Sequence, residues 1–157
     1  MLEAARGLLR SRQVLPAIQA YEEYLNLWPK DANAWADLGA LHLEAGKPKA
    51  AQMACERALR LDRNLTQARI SQANALAAQG LLQEAENLCR LLLRQQPRLG
   101  SAKIALANCL IRRGELAPAH LLLEQLATLE PNHRLAHSLL IELLVRQKQW
   151  GAFDKAL

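Results

Sequence analysis

A fixed spacing of 34 residues constrains this chain more than any other feature. Gly46, Gly80 and Gly114 are separated by 34 residues each time, and Ala17, Ala51, Ala85 and Ala119 keep the same interval. Pro97 and Pro131 are also 34 apart, and Pro29 lies two periods before Pro97, with Arg63 in the skipped place. A period of this length marks supersecondary units that cannot bury their apolar faces alone and do so by stacking.

The residues between these marks say what the unit is. Ala and Leu dominate an apolar content of 51%, while aromatics make up 4%. Both are strong helix formers, and the residue types that favour strands are scarce. Each glycine falls between two helical stretches, such as ANAWADLGALHLEA and PKAAQMACERALRL around Gly46. A tight turn between antiparallel helices needs positive φ at the first helix's C-terminus, which glycine adopts at little cost. The prolines follow the second helix and end it. The recurring alanines lie early in that helix, where a methyl group permits close helix approach. Leu38, Gly39 and His42 line one face of a first helix, with Gln72, Ala73 and Leu76, Leu106, Ala107 and Leu110, and Leu140, Ile141 and Leu144 as counterparts. That spacing is a helical stripe.

The segment carrying Trp35, Leu38, Gly39, Gly46, Ala51 and Ala58 resembles a tetratricopeptide repeat, a 34-residue helix–turn–helix. Motifs are expected at about 1–31, 32–65, 66–99, 100–133 and 134–157, so the resemblance spans the chain. It implies an all-α, right-handed superhelical solenoid of antiparallel helix pairs, about five motifs with the last incomplete. Arg12 and Lys148 stand where the first and fifth turn glycines belong. A short second helix, WGAFDKAL, is expected after Lys148. Terminal repeats usually end in a helix with a polar outer face. None is evident here, so either the residues are a segment of a longer protein, or an exposed apolar end is covered by a partner or promotes self-association.

The resemblance also implies a concave face built from the first helix of each pair. On a helical wheel the residues opposite the packing stripe include Arg6 and Arg10 in the first motif and Asn33 in the second. The third contributes Gln67, Ile70 and Asn74, the fourth Ile104, Asn108 and Arg112, and the fifth Glu142 and Arg146. Asn74 and Asn108 are equivalent, and an amide both donates and accepts, so it can pair with a peptide backbone whatever the side chain. Asparagines on the inner face grip extended polypeptides in this family, including the O-GlcNAc transferases. The arginines suit carboxylates. Solvated helix surface is the plainer reading of all of these. Repeat modules that clamp the C-terminal carboxylate of heat-shock chaperones carry lysine one turn before the groove asparagine; Ile70 and Ile104 stand there, which argues against that role.

Other chemistry finds little support. His133 and His137 are four apart, but Glu130 is the only nearby carboxylate, so they read as connector and surface histidines. Cys55 and Cys89 alternate with Tyr21 and Leu123 at equivalent places and read as packing residues; Cys109 is expected on a half-buried helix flank. His42 replaces Leu76 and Leu110 and is expected in the core with a hydrogen-bond partner. No phosphate-binding, dinucleotide, metalloprotease or nucleophile-elbow motif occurs. Neither catalysis nor a cofactor, metal or small-molecule substrate is expected. The net charge of +5 is spread among acidic residues and aromatic stacking platforms are few, which argues against nucleic acid. The odd, sparse cysteines suit a reducing cytoplasm. No uninterrupted apolar run reaches membrane-spanning length, and MLEAARGLLRSRQ reads as a first helix rather than an export signal. The expected role is a protein-interaction scaffold holding an extended polypeptide. The alternatives are a substrate-recruiting arm of a larger transferase, such as a glycosyltransferase, and, more weakly, nucleic-acid or acidic-surface binding through the net charge of +5.

Overall fold

A computed structural model describes residues 1–11 and 13–154, without the side chains of Leu9, Gln147 and residues 149–154. Arg12, expected in place of the first turn glycine, lies outside the described residues, as do the last three. Among the described residues there are nine α-helices and no strand. They are α1 (Leu2–Arg10), α2 (Val14–Leu27), α3 (Ala32–Glu44), α4 (Pro48–Leu61), α5 (Thr66–Ala78), α6 (Leu82–Gln95), α7 (Gly100–Arg113), α8 (Leu116–Leu129) and α9 (Arg134–Asp154). None is long and apolar enough to cross a membrane. The fold is the all-α, tetratricopeptide-like one expected.

The three spaced glycines all have positive φ: 69° at Gly46, 84° at Gly80 and 83° at Gly114. Each closes its helix in the same way. At the first, the Gly46 N–H donates to the Leu43 carbonyl and the Lys47 N–H to the His42 carbonyl. Gly80 with Leu81, and Gly114 with Glu115, repeat the pattern on Ala77 and Leu76 and on Ile111 and Leu110. These paired bonds satisfy carbonyls that the helix end would leave open, and they reverse the chain for the next helix.

Two compact units divide the chain, Met1–Ala85 and Glu86–Leu157. In the first, α1 packs on α2, α2 on α3, α3 on α4, and α5 on both α3 and α4. Its core joins Tyr21, Leu25, Leu38 and Leu41 with the small residues Ala5, Ala17, Ala34 and Ala54. Ala36, Ala58 and Ala68 form a smaller cluster where three helix backbones come close. A Cβ added at Gly39 would stand 2.6 Å from Cys55 Sγ and 3.3 Å from the Ala51 carbonyl oxygen, so α3 and α4 meet more closely there than an alanine allows. Cross-links tie the connectors down. Asp31 caps α3 by accepting from the Ala34 N–H at 3.1 Å and also accepts the Tyr24 hydroxyl at 3.0 Å. Trp35 Nε1 donates to the Pro29 carbonyl at 3.0 Å, and the Tyr21 hydroxyl to Asp37 at 2.9 Å.

In the second unit α7 packs on α8, and α9 on α8 and α7. Leu106, Leu110, Leu123, Leu126 and Leu143 are buried, as is Ala119. Here one expectation fails. No turn forms at Lys148; α9 runs unbroken through it to Asp154, so residues 150–154 continue that helix rather than begin a second one. Lysine gives no inexpensive route to positive φ, and the Gln-Lys-Gln run favours helix continuation. The stripe meant for a second helix is therefore open: Leu140 is half-buried, Ile141 is 64% exposed and Leu144 48%.

Candidate functional site

In the first unit the expected binding residues sit on α1, α3 and α5. Asn33 and Gln67 are exposed, and Asn74 is half-buried. Asn74 makes no side-chain hydrogen bond with the described residues. Ile70 is only 7% exposed, which places it beneath the surface as support. Arg6 pairs with Glu3 at 3.1 Å, and that bond is the foremost cause of its raised pKa; Arg10 is exposed.

The second unit repeats this order on α7 and α9. Asn108 is half-buried, again without a side-chain hydrogen bond among the described residues, and Arg112 is exposed. Ile104 is 7% exposed, like its counterpart Ile70. Packing therefore accounts for both isoleucines, and for the buried Ile111, without a ligand. Glu142 and Arg146 form an exposed pair at 2.7 Å, so Arg146 would have to exchange an internal partner for an incoming carboxylate. Such a pair contributes little in water, and the exchange is close to free.

The remaining polar groups settle into structural roles. Two guanidiniums surround buried Glu86: Arg90 at 2.7 Å and Arg113, which also reaches Glu115 at 2.9 Å. Their hydrogen bonds and charge, Arg90's foremost, hold the Glu86 carboxyl below its ordinary pKa despite burial. His133 Nδ1 accepts the Ala136 N–H at 3.2 Å at the start of α9, and His137 Nε2 lies 2.8 Å from the Pro131 carbonyl. Cys55 is buried, and burial pushes its thiol up to about 12. Cys109 is not half-buried as expected but fully enclosed, beside Cys89. Hydrogen bonding with Cys109 and burial keep the Cys89 thiol protonated.

Sequence reasoning missed one feature. A cleft of about 700 Å³ opens among α2, α3 and α4. None of the expected binding residues lines it. His42 does, and contrary to expectation its buried Nδ1 has no hydrogen-bond partner. The only available signal was a histidine where sister repeats carry leucine.

The tetratricopeptide-repeat family profile matches residues 76–143. No curated protein matches the chain by sequence. Among solved structures, a tetratricopeptide repeat protein from Parabacteroides merdae superposes with a TM-score of 0.84 at 19% identity, over 92% of this chain and 56% of that one. The second such domain of human RPAP3, solved in complex with an HSP70 peptide, gives 0.64 at 21% identity, over 68% of this chain and 89% of that one. The O-GlcNAc transferase of Thermobaculum terrenum gives 0.70 at 25% identity, over 81% of this chain and 25% of that one.

Proposed function

We propose that this chain, which has a tetratricopeptide-repeat fold and matches that family's profile over residues 76–143, is an interaction scaffold that holds an extended segment of a partner polypeptide. Asn74 on α5 in the first unit, and Asn108 on α7 in the second, are each a point of grip on a partner's backbone. The observation that carries this is that two equivalent amides, each half-buried, have both donor and acceptor unused by the fold. An amide that makes no bond within the fold can both donate to and accept from a partner's backbone without breaking an internal bond. Arg112 and Arg146 add selectivity for acidic residues. The RPAP3 domain, with its bound peptide, lends the reading a precedent in a similar fold. We place the protein in a reducing compartment such as the cytoplasm, in keeping with three free cysteines, and assign it no catalysis of its own.

Photo-crosslinkers at positions 74 and 108 test this directly. They should capture one partner polypeptide, and the double variant Asn74→Ala, Asn108→Ala should weaken its binding by about 30-fold, two hydrogen bonds at roughly 1 kcal/mol each. The melting temperature should barely move, since neither amide bonds within the fold. Unchanged affinity in the double variant would refute the reading.

A second reading rests on the likeness to the O-GlcNAc transferase, in which the matched part is a quarter of that chain. Here the repeats recruit substrate polypeptide for a catalytic domain elsewhere in a longer protein. A catalytic domain in the same reading frame decides for it. Partner capture without glycosyl or other group transfer decides against it.

A further inference from the structure

We propose that the cleft among α2, α3 and α4 is a separate binding site, which takes a tyrosine side chain from an acidic segment of a partner protein. The inference does not depend on Asn74 or Asn108. It starts from His42, 8% exposed, whose Nδ1 faces no donor or acceptor although it is shut off from water. Burial lowers the pKa of this imidazole, so it is neutral and needs one hydrogen-bond partner at Nδ1 rather than a counter-ion. An orphaned polar atom in a core costs free energy, and sister repeats avoid this by using leucine. The atom itself is enclosed, but the ring that carries it lines an open cleft, so a rotation of the imidazole presents Nδ1 to a group seated there.

The other walls define what fits. Leu25 and Leu38 are buried beneath the cleft, with Trp35 half-buried and Met53 71% exposed above it. Trp35 already spends its indole N–H on the Pro29 carbonyl, which holds the ring still. An aromatic ring against an indole and a thioether is favoured beyond the area it covers. Of the aromatic side chains, tyrosine alone ends in a group that both donates and accepts. It satisfies Nδ1 in either tautomer, whereas tryptophan only donates and phenylalanine does neither.

Charge at the edge gives the context of that tyrosine. Arg57 and Arg60, one turn apart on α4, are exposed, line the cleft and form no ion pair with the described residues. Arg63 follows in an adjoining hollow that shares Arg60. The carboxylates present are Glu56, engaged by Gln52 at 2.9 Å, and Glu22 on α2. Acidic residues of a partner therefore belong on the α4 side, where two free guanidiniums can receive them, and not over Glu22. A large apolar residue between carboxylates is the complement of this surface.

The test uses the full chain and a fluorescein-labelled peptide, Gly-Asp-Asp-Tyr-Asp-Asp-Gly, read by fluorescence anisotropy. Saturable binding is expected, weakened at least tenfold by Arg57→Glu with Arg60→Glu, by His42→Leu, and by alanine in place of the peptide's tyrosine. Met53→Glu, an exposed substitution at the mouth, should do the same without touching the core, and covers the case in which His42→Leu perturbs folding. Asn74→Ala with Asn108→Ala should leave this binding unchanged, which separates it from the scaffold reading. The proposal is overturned by no saturable binding below millimolar peptide. Equal binding of a lysine-flanked peptide, or indifference to the arginine and methionine variants, also overturns it. So does a doubling of mass that the arginine variants abolish, which would make a second copy of the chain the occupant.

Discussion

Single atoms decide much of how this chain behaves. His42 is held neutral because burial lowers its pKa below the 6.5 of an unhindered imidazole. In the unfolded chain the same ring charges as pH falls through about 6.5. The unfolded state then binds more protons than the native one, so stability drops as pH decreases below 6.5 toward the native pKa and is level above it. Urea unfolding at pH 7.5, 6.5 and 5.5 should show this slope as a difference between wild type and His42→Leu, the variant lacking it. A parallel pair of curves would mean that the ring is solvated. Gly39 offers a second case. A methyl group there overlaps Cys55 Sγ at 2.6 Å. Overpacking costs about 1–3 kcal/mol and better helix propensity returns about 1, so Gly39→Ala should destabilise by roughly 1 kcal/mol. In a Cys55→Ala background the Sγ is gone, and the same substitution should be neutral or stabilising. A double-mutant cycle by chemical denaturation measures that coupling.

At the scale of the element, the helix-closing glycines separate backbone strain from packing. A Cβ at Gly46, Gly80 or Gly114 would meet nothing within 4 Å, yet all three have positive φ. Gly80→Ala should therefore lower stability by about 1–2 kcal/mol through φ alone, and Gly80→Asn by less, because asparagine tolerates this conformation. Equal losses for the two, measured by urea midpoint, would point to packing instead. These elements were legible in the sequence because the central hairpins share one rule: glycine where the turn needs positive φ, alanine where helices touch, and, at two of the three, proline beyond the second helix. The rule failed where its residues were absent. Lys148 was read as an atypical turn by analogy with Gly114, but α9 continues through it; α1 ends at Arg10 without a glycine, so the missing glycine alone does not decide the outcome. The amide positions 74 and 108 followed from the period alone. Whether Ile70 and Ile104 were wall or support did not, since burial depends on neighbouring helices rather than spacing. The cleft at His42 was beyond reach for the same reason, being a gap left among three helices.

Across the whole molecule, the balance of covered and uncovered apolar surface sets solution behaviour. Alanines and leucines close the interior of each unit, but α9 keeps Leu135, Ile141, Leu144 and Val145 exposed. Ile141, Leu144 and Val145 fall at i, i+3 and i+4, a stripe that a helix buries when it has a neighbour. Single exposed apolar residues are ordinary, whereas a contiguous stripe favours association. With Glu142 and Arg146 already neutralising each other beside it, charge gives little resistance to contact between copies. The chain should therefore self-associate as concentration rises, and multi-angle light scattering should show an average mass above 17.5 kDa at high loading. Ile141→Lys with Leu144→Lys should restore the monomer mass while leaving helix content unchanged, because both side chains already face solvent. A wild-type mass that stays monomeric at millimolar concentration would show that the stripe is too small to drive association without another chain to cover it.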